Sequence, residues 1–382
     1  MVGCMTTYAR ERAQERLGAL ACGSRNLVTF WREAEEIISP LVPHYMGFCW
    51  YTLDPASLLI TSHFNDYMPE LPPESLAHEY YEDDVNKLSD VVRSARGAST
   101  LHEATGGDPS SSPRWHANME LGGDQELIVG LRTSSGDAWG GVGVYREPGD
   151  PVFSDDEIEF LRGASPTLGE GARRALLLGE ASDPEGPEAP GLLVLSSRWE
   201  VESATPGVER WMSDLPEGDW QAGRLPSAVL AVAGQAQRSA DGRDAPGEVA
   251  VARVLSRSGT WVVLHGATLV SEGATRVAVI VEPAHPARLV PLLMSAYGLT
   301  DREQEVTRLV LQGESTGGIA ERLVLSPHTV QQHLKNIFEK TGVRSRRDLV
   351  GKVFFSHYEP RLRDNEDRAQ KDKPLRGGPL PA

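Results

Sequence analysis

The first half of the chain alternates between two kinds of apolar spacing. From Leu27 to Ile38 and from Asp155 to Leu178, apolar residues recur every three or four positions, which predicts amphipathic helices. Ser154 and Glu157 have the spacing of a capping box at the start of the second helix. Between the helices lie runs rich in aromatic and aliphatic residues, bounded by turn residues, which predict strands. These runs are Tyr45–Leu53, Ser57–Phe64, Glu126–Thr133 and Ala138–Arg146.

A second group of strand-like runs follows an acidic segment rich in proline and glycine. Leu192–Leu195 predicts a strand and Thr205–Met212 a short helix. Val249–Ser256 and Thr260–Leu269 flank a turn sequence and predict a hairpin, and Arg276–Glu282 predicts a last strand. The pattern therefore indicates a second, smaller α/β unit.

The segment from Thr300 to Phe355 reads as four helices with marked ends. Thr300 and Glu303 have capping-box spacing, and Pro327 fits the first position of the third helix, where its missing N–H does no harm. Serine and threonine favour helix starts, whereas glycine favours the position after a helix end. The residues that mark these boundaries are Thr300, Gly313, Ser315, Ser326, Gly342 and Ser345.

The third helix of this segment has one apolar stripe and one polar face. The stripe consists of Val330, Leu334, Ile337 and Phe338. At about 100° per residue, Gln332, Lys335 and Asn336 point the opposite way, with Gln331 on the flank. Amide side chains can bond adenine N6 and N7 together, and a lysine can reach guanine O6 and N7. We therefore expect Gln331, Gln332, Lys335 and Asn336 to read DNA bases.

The start of the same helix has groups that suit phosphate. Ser326 and the unpaired N–H groups of a helix N-terminus can bond phosphate oxygens. Further phosphate candidates are Thr329, His333, Lys340 and Arg344.

The segment Leu299–Phe355 resembles the helix-turn-helix domain of the LuxR/FixJ/NarL regulators in residue order and spacing. The matching residues include Leu299, Thr300, Arg302, Glu303, Glu305, Val306, Gly313, Ile319, Ala320, Glu321, Leu323, Ser326, Pro327, Thr329, Val330, His333, Ile337, Lys340, Gly342, Val343, Ser345 and Arg346. The resemblance implies base contacts at Gln331, Gln332 and Lys335. It also implies a fourth helix that pairs two subunits, which here would use Val350, Val353 and Phe354.

Two glycines depart from the family pattern. Gly317 and Gly318 stand where the family usually has a polar, helix-favouring pair. Each glycine inside a helix costs about 1 kcal/mol relative to alanine. We therefore expect the second helix to start late or fray, with one backbone contact to DNA absent.

Net charge is concentrated away from this segment. Residues 296–363 carry 11 Lys and Arg against 8 Asp and Glu, and the charges after residue 363 balance. The total of −16 therefore leaves −19 on residues 1–295. Six basic residues fall between Lys335 and Lys352, against two acidic ones. A basic patch on an acidic chain is typical of a protein that docks on DNA through one end.

The first 180 residues resemble a GAF domain over about Leu27–Leu178, and Leu192–Glu282 resembles a PAS domain. Both families include small-molecule sensors and plain dimerisation platforms, so ligand binding stays open. Aromatic walls with a few polar tips suit small ligands, although core packing is the alternative for such residues. The candidate ligand-binding residues are Trp50, His63, Tyr80, Tyr81 and Trp115.

Enzyme and cofactor chemistry find little support. Gly122–Glu126 departs from the cyclase sequence GGDEF, and the HEYYE sequence at His78–Glu82 is not the zinc motif HExxH. No P-loop or Gly-x-Ser-x-Gly elbow occurs. The three cysteines lack His or Cys neighbours at metal-ligand spacing, so we expect free thiols, no metal and no cofactor. No apolar run reaches the roughly 20 residues that span a bilayer, and no secretory signal is evident, which favours a cytoplasmic protein.

Together these patterns predict a multidomain, non-enzymatic chain. It would combine an α/β GAF-like domain, an α/β PAS-like domain and an all-α four-helix LuxR-type helix-turn-helix domain. The predicted order is an N-terminal helix 1–24, GAF-like 25–181, linker 182–190, PAS-like 191–283, linker 284–291, helix-turn-helix 292–358 and a disordered tail 359–382. The expected function is a transcriptional regulator that binds double-stranded DNA as a homodimer and couples a sensory input to DNA binding. Whether an unknown small-molecule effector supplies that input stays open. The alternative is a sensor or protein-partner scaffold in which DNA binding is secondary.

Overall fold

A computed structural model describes most of the chain and divides it into two compact units. The described residues are 2–23, 25–67, 77–177, 190–244, 248–269, 275–284, 294 and 297–350. The first unit comprises Met1–Gly179, Ala189–Arg257 and Val262–Glu282, and the second comprises Glu180–Glu188, Ser258–Trp261 and Pro283–Ala382. The predicted tail and most of both predicted linkers lie outside the described residues.

The first unit contains an antiparallel sheet of five described strands in the order β2-β1-β5-β4-β3. Its strands are β1 (Tyr45–Leu53), β2 (Ile60–Phe64), β3 (Ala98–Thr100), β4 (Gln125–Arg132) and β5 (Ala138–Arg146). Cys49 lies opposite Gly143 across β1 and β5, and Gly143 lies opposite Ile128 across β5 and β4. The central strands β4 and β5 are almost wholly buried, so helices must cover both faces of the sheet.

Three long helices cover one face: α1 (Val2–Cys22), α2 (Leu27–Ile38) and α7 (Asp155–Leu177). The Trp31 ring of α2 stacks on Trp50 of β1 with ring centroids 4.6 Å apart. A side chain at Gly171 would collide with the Phe30 ring, so the glycine lets α2 and α7 pack closely. The predicted capping box of α7 is confirmed: the Ser154 N–H donates to Glu157 Oε2 at 2.8 Å, and the Glu157 N–H donates to Ser154 Oγ at 3.4 Å.

Shorter helices cover the opposite face. They are α3 (Ala77–Tyr80), α4 (Leu88–Arg93), α5 (Leu101–Ala104) and α6 (Pro113–Glu120), with a 3-10 turn at Pro109–Ser111. Glycines on the strands make room for α4, because a Cβ at Gly130 would meet Val92 and one at Gly141 would meet Leu88. Arg114 of α6 binds Glu79 and Glu126 in a buried ion cluster.

The second sheet of the first unit repeats the strand order of the first sheet, as β7-β6-β10-β9-β8. Its strands are β6 (Gly191–Leu195), β7 (Val201–Ala204), β8 (Val251–Leu255), β9 (Trp261–Leu269) and β10 (Arg276–Pro283). Helices α8 (Val208–Asp214) and α9 (Ser227–Ala240) precede β8. Strands β6, β8, β9 and β10 and helix α8 lie within a few residues of the predicted elements, whereas β7 was not predicted.

Helix α9 joins the two sheets, and the sequence did not predict it. Every residue from Ser227 to Gln237 is buried. A Cβ at Gly234 would meet Tyr80 of α3 and Trp199, so side chains from both halves close on the helix. Buried residues of both sheets form one apolar cluster around it. Residues 1–177 and 190–282 therefore share a core, although the sequence divides them into two predicted domains whose boundaries remain predictions.

Candidate DNA-recognition surface

The second unit contains three helices whose full bounds are described, with a core of their own, and the first of them is α10 (Asp301–Leu311). Its predicted capping box is present: the Thr300 N–H donates to Glu303 Oε2 at 2.9 Å, and the Glu303 N–H donates to Thr300 Oγ1 at 3.4 Å. Gly313, with a φ of +83°, follows the helix end in the left-handed region that favours glycine. Both ends of α10 therefore lie where the sequence predicted them.

Helix α11 (Thr316–Leu323) corrects one expectation. It begins directly after Ser315 and runs through Gly317 and Gly318, so it does not start late. The reason is the Ser315 cap, since its Oγ accepts the Gly318 N–H at 3.0 Å and fixes the first turn.

The turn after α11 is held by backbone and side-chain hydrogen bonds. Val324 adopts left-handed dihedrals of 55° and 49°, which let the Leu325 N–H donate to Ala320 O at 2.8 Å. Arg302 of α10 donates to Leu323 O at 2.6 Å. The turn is therefore tied both to α11 and to α10, which fixes the direction in which the next helix leaves.

Helix α12 (Pro327–Thr341) carries the predicted polar face. Ser326 caps it by accepting the Thr329 N–H at 3.0 Å, and Gly342 ends it with a φ of +67°. Val330, Leu334 and Ile337 are buried, and Phe338 packs partly buried against the same core. The core of this unit includes Met294, Leu299, Val306, Val310, Ile319, Ala320, Val330, Leu334, Ile337 and Leu349.

The opposite face of α12 is open to solvent. Gln331, Gln332 and Lys335 are exposed, whereas Asn336 is half-buried. Gln332 Nε2 donates to Asn336 Oδ1 at 3.2 Å, and Gln331 Nε2 donates to Thr316 Oγ1 at 3.4 Å. Each amide still has unused donor and acceptor capacity, so the four side chains present both hydrogen-bonding senses along one helix face.

The predicted phosphate contacts differ in their surroundings. Ser326 and Arg344 are exposed, and Thr329 and His333 are half-buried. Lys340 is exposed, but its Nζ donates to Glu303 Oε2 at 2.6 Å, so its charge is already matched by a carboxylate. The structure therefore gives Lys340 a role in joining α12 to α10.

Three exposed cations on α12 and after it have no such match. Lys335, Arg344 and Arg347 are exposed, and no carboxylate of the described residues lies within 4 Å of their charged groups. The list of phosphate candidates drawn from the sequence omitted Arg347, although it belongs to the basic patch between Lys335 and Lys352. An arginine two residues after a helix-starting serine was the available signal.

The predicted dimer helix is only partly described. Residues 346–350 are helical, and Ser345 Oγ accepts the Asp348 N–H at 3.1 Å at its start. Val350 is exposed, as a contact residue of a dimer must be before assembly. Val353 and Phe354 lie outside the described residues.

The five candidate ligand-binding residues of the first unit lie in different surroundings. Trp50 is fully buried and donates to Glu35 Oε2 at 3.2 Å, and Tyr80 packs against α9. Trp115 donates to Asp124 Oδ1 at 2.9 Å, and Tyr81 donates to Asp241 Oδ2 at 3.0 Å. His63 binds Glu217, in the loop after α8, and Ser227 of α9. Each side chain thus has a packing or hydrogen-bonding role of its own, and their ligand role remains a prediction.

Within the described ranges, no three His, Cys, Asp or Glu side chains come together as metal ligands would. Every helix in that part of the chain is too short or too polar to span a lipid bilayer.

Comparison with known families agrees with the geometry of the second unit. Residues 298–353 match the bacterial regulatory proteins of the luxR family. The chain therefore carries a LuxR-type helix-turn-helix domain in this stretch of its sequence. The match begins one residue before the resemblance seen in the sequence and covers α10, α11 and α12 of this LuxR-type domain.

Curated relatives share only a short stretch with the chain. An HTH-type transcriptional regulator of Mycobacterium bovis is 50% identical over 52 residues, which is 14% of this chain and 6% of the relative. The monoamine regulon transcriptional regulator of Klebsiella aerogenes is 43% identical over 56 residues, which is 15% of this chain and 25% of that protein. The chain therefore covers a small part of the length of these regulators.

Solved structures cover more of the chain at lower similarity. The phycoerythrobilin-bound GAF domain of a cyanobacterial phytochrome has 14% identity and a TM-score of 0.29, covering 44% of this chain and 96% of that domain. The Escherichia coli DhaR(N)–DhaL complex has 13% identity and a TM-score of 0.22, covering 74% of this chain and 91% of that one. Because these TM-scores are low, the fold of the first unit is described by its own strand order and not by these structures.

Proposed function

We propose that this chain is a sequence-specific DNA-binding transcriptional regulator whose LuxR-type domain reads a major groove with α12. The observation that carries the proposal is the solvent-facing row of Gln331, Gln332 and Lys335, opposite a buried stripe on the same helix. A recognition helix needs this division, because its apolar side fixes its angle and its polar side must reach base edges.

The chemistry of these side chains favours base reading over sequence-independent electrostatic attraction to the DNA backbone. An amide side chain can donate and accept at once, which matches adenine N6 and N7. Lys335 can donate to guanine O6 or N7. The Gln332–Asn336 hydrogen bond orients the Gln332 amide along the helix before DNA arrives, which reduces the ordering cost of binding.

The surroundings of α12 supply contacts to the DNA backbone. Ser326 and the N-terminus of α12 can meet one phosphate, since a helix start combines N–H donors with a positive dipole end. Arg344 and Arg347 follow the C-terminal end of α12, and no carboxylate of the described residues lies within 4 Å of their guanidinium groups. Contacts at both ends would set the register of the base-reading row on the duplex.

Residues 1–282 supply the input in this proposal. The elements behind the GAF and PAS resemblances are present as β1, β2, β4, β5 and α7, and as β6 with the β8–β9–β10 group. We propose that they form a sensory region, with homodimerisation through the helix that begins at residue 346. A bound effector would bias the equilibrium between states of the dimer.

The decisive experiment compares specific and random DNA. Genomic fragments that the full-length protein retains are sequenced, and binding to one such site and to random duplex is measured by fluorescence anisotropy. Gln332→Ala and Lys335→Ala should each weaken specific binding by about 1–3 kcal/mol, roughly 5- to 150-fold, and leave random binding much less changed.

Matched controls lie on α10 and at the residue that caps its end. Arg308→Ala removes an exposed cation from α10 and Gln312→Ala an exposed amide from its C-cap, and neither should change the preference between the two DNAs. Equal losses on both DNAs for the α12 variants would remove the base-reading role. No binding to any duplex at low salt would instead favour the scaffold alternative.

A further inference from the structure

A histidine, a carboxylate and a hydroxyl meet where the two sheets of the first unit adjoin. His63 belongs to β2 of the first sheet, Glu217 to the loop after α8, and Ser227 to the first turn of α9. The histidine is 154 residues from Glu217 and 164 residues from Ser227 in sequence, so only the tertiary fold brings them together.

The hydrogen bonds centre on Glu217. Its Oε2 lies 2.8 Å from His63 Nδ1 and accepts the Ser227 hydroxyl at 2.6 Å. Its Oε1 accepts the His63 backbone N–H at 2.5 Å, and His63 Nδ1 also lies 2.9 Å from Ser227 Oγ. Both carboxylate oxygens are thus used by groups across the junction.

The backbone conformation of Glu217 also indicates a functional element. Its φ of +63° is in the left-handed region, which a residue with a Cβ adopts at a cost. Contacts that hold a residue in such a conformation often belong to a functional element. We call His63, Glu217 and Ser227 the inter-sheet clasp.

The charge that faces His63 is that of Glu217. The packed elements around the clasp also carry other titratable or charged groups, but only burial and Glu217 shift the pKa of His63. These groups are Tyr45, Cys49 and Tyr51 of β1, His78, Glu79 and Tyr80 of α3, Arg238 of α9, Arg253 of β8 and the Asp219–Arg224 pair of the loop. Arg253 is committed to Asp54, with Nη2 to Oδ1 at 2.5 Å and Nε to Oδ2 at 2.9 Å. Tyr51 and Tyr80 are neutral at neutral pH, since burial raises the pKa of both well above the ordinary value.

We propose that the inter-sheet clasp is a pH-responsive lock, tight when the His63 imidazole is protonated and looser when it is neutral. A protonated ring holds the Glu217 carboxylate by charge as well as by hydrogen bond, whereas a neutral ring keeps only the hydrogen bond. The His63 side chain is 42% exposed, so protons reach it without the sheets separating. Loosening would act on the start of α9, the helix that both sheets enclose.

The direction of the pH dependence follows from the environment of the ring. Burial lowers the pKa of His63, but the hydrogen bond and the charge of Glu217 outweigh burial and leave the pKa raised. Because the pKa of His63 is raised in the folded state, the stabilisation is complete at pH values below the pKa of the unfolded chain, about 6.5. It is lost as the pH rises through the pKa of the folded state. The clasp therefore weakens from slightly acidic to alkaline pH.

Thermal unfolding of the full chain tests the lock, with tryptophan fluorescence as the signal. No tryptophan follows Trp261, so this signal does not report on the LuxR-type domain. The midpoint for His63→Gln should fall below that of the wild type by more at pH 6 than at pH 8.5, with a difference of about 1–3 °C between the two deficits.

The Asp54–Arg253 pair provides the matched control, because it joins the same two sheets without a histidine. Arg253→Gln should lower the midpoint by the same amount at both pH values. Equal deficits of His63→Gln at the two pH values would overturn the proposal.

A titration that needs no destabilised variant gives a second test. The ring signal of His63 in the wild type, followed by NMR with labelled histidine, should titrate above about pH 6.5. In Glu217→Gln the midpoint should fall towards or below that value, because the opposing charge is gone. A wild-type midpoint at or below 6.5, or one that Glu217→Gln leaves unchanged, would refute the lock. None of these outcomes depends on DNA binding.

Discussion

Single side chains around α12 divide into those available to DNA and those held by the protein. Lys335 and Lys340 are both exposed lysines of this helix, and the sequence predicts that both contact DNA, one at bases and one at phosphate. Lys340 binds Glu303, whereas no carboxylate in the described ranges lies within 4 Å of the Lys335 ammonium. A lysine already matched by a carboxylate gains less from a phosphate, because it must first give up its partner.

Lys340→Gln should therefore loosen the LuxR-type domain. Burial raises the pKa of Glu303, but the Lys340 hydrogen bond and the Thr300 N–H outweigh burial, so the pKa is lowered. A carboxyl group with a lowered pKa stabilises the folded state at pH values above its ordinary pKa, about 4.3. This stabilisation is lost as the pH falls through the pKa of the folded state. At pH 7 it is fully present, and because Lys340 is solvent-exposed we expect a loss below about 1 kcal/mol.

Amide hydrogen exchange of α10 and α12 in the full chain measures this effect at pH 7. Exchange should quicken up to about fivefold in Lys340→Gln and recover in Lys340→Arg, which keeps the charge. Unchanged exchange with weakened DNA binding would return Lys340 to the phosphate contacts.

Val324 carries a local conformational cost. It is 91% exposed and holds left-handed dihedrals, which a β-branched residue adopts poorly. Val324→Asn should stabilise the turn by about 1 kcal/mol, because asparagine tolerates this region, and slow exchange of the Leu325 amide about fivefold. Val324→Ala also removes the apolar surface but lacks the side-chain amide that lets asparagine hydrogen-bond locally in the left-handed region, so it should have the smaller effect. Equal effects of the two substitutions would assign the gain to lost apolar exposure.

At the scale of elements, a capping serine decides where α11 begins. Ser315 binds the Gly318 N–H, and the helix forms although two of its first three residues are glycine. A cap contributes about 1 kcal/mol, which offsets much of what one glycine costs.

Gly317→Ala should accordingly stabilise α11 by about 0.5–1 kcal/mol, since a Cβ there meets only Ser315 Oγ at 3.8 Å. Gly313→Ala is the same chemical change at a φ of +83° and should destabilise by about 1 kcal/mol. Hydrogen exchange of α11 and of the α10 end gives both values. Two shifts of the same sign would contradict this account of the glycines.

At the scale of the whole molecule, charge is distributed so that one end can approach DNA. Residues 1–295 carry −19, whereas residues 296–363 carry +3, and Lys335, Arg344 and Arg347 remain unmatched by described carboxylates. An acidic remainder repels a polyanion, so binding should rest on phosphate contacts made by the basic end and weaken as the salt concentration rises.

The slope of the salt dependence gives the number of phosphates that the protein neutralises. A plot of log affinity against log salt should be linear, and Arg344→Ala or Arg347→Ala should each reduce its slope by about 0.9 if the residue neutralises one phosphate. Arg162→Ala removes an exposed arginine from α7 and should leave the slope unchanged. A flat plot for the wild type would contradict docking through phosphates.

The elements whose apolar and polar residues alternate were predictable one by one. α2 and the caps at Thr300, Ser315 and Ser326 lie where the pattern places them, because a cap or a stripe depends on residues within a few positions of each other. α9 was missed for the complementary reason. It is buried on every side and rich in alanine, so it has no polar face for a period to reveal.

The sequence alone determined which face of α12 carries amides and lysine, since the stripe from Val330 to Ile337 can only be buried on one side. Tertiary structure alone decided that Lys340 belongs to Glu303, that α9 unites two sheets in one core, and that His63 meets Glu217. These contacts join residues 37 to more than 150 positions apart, and no local rule selects one distant partner over another.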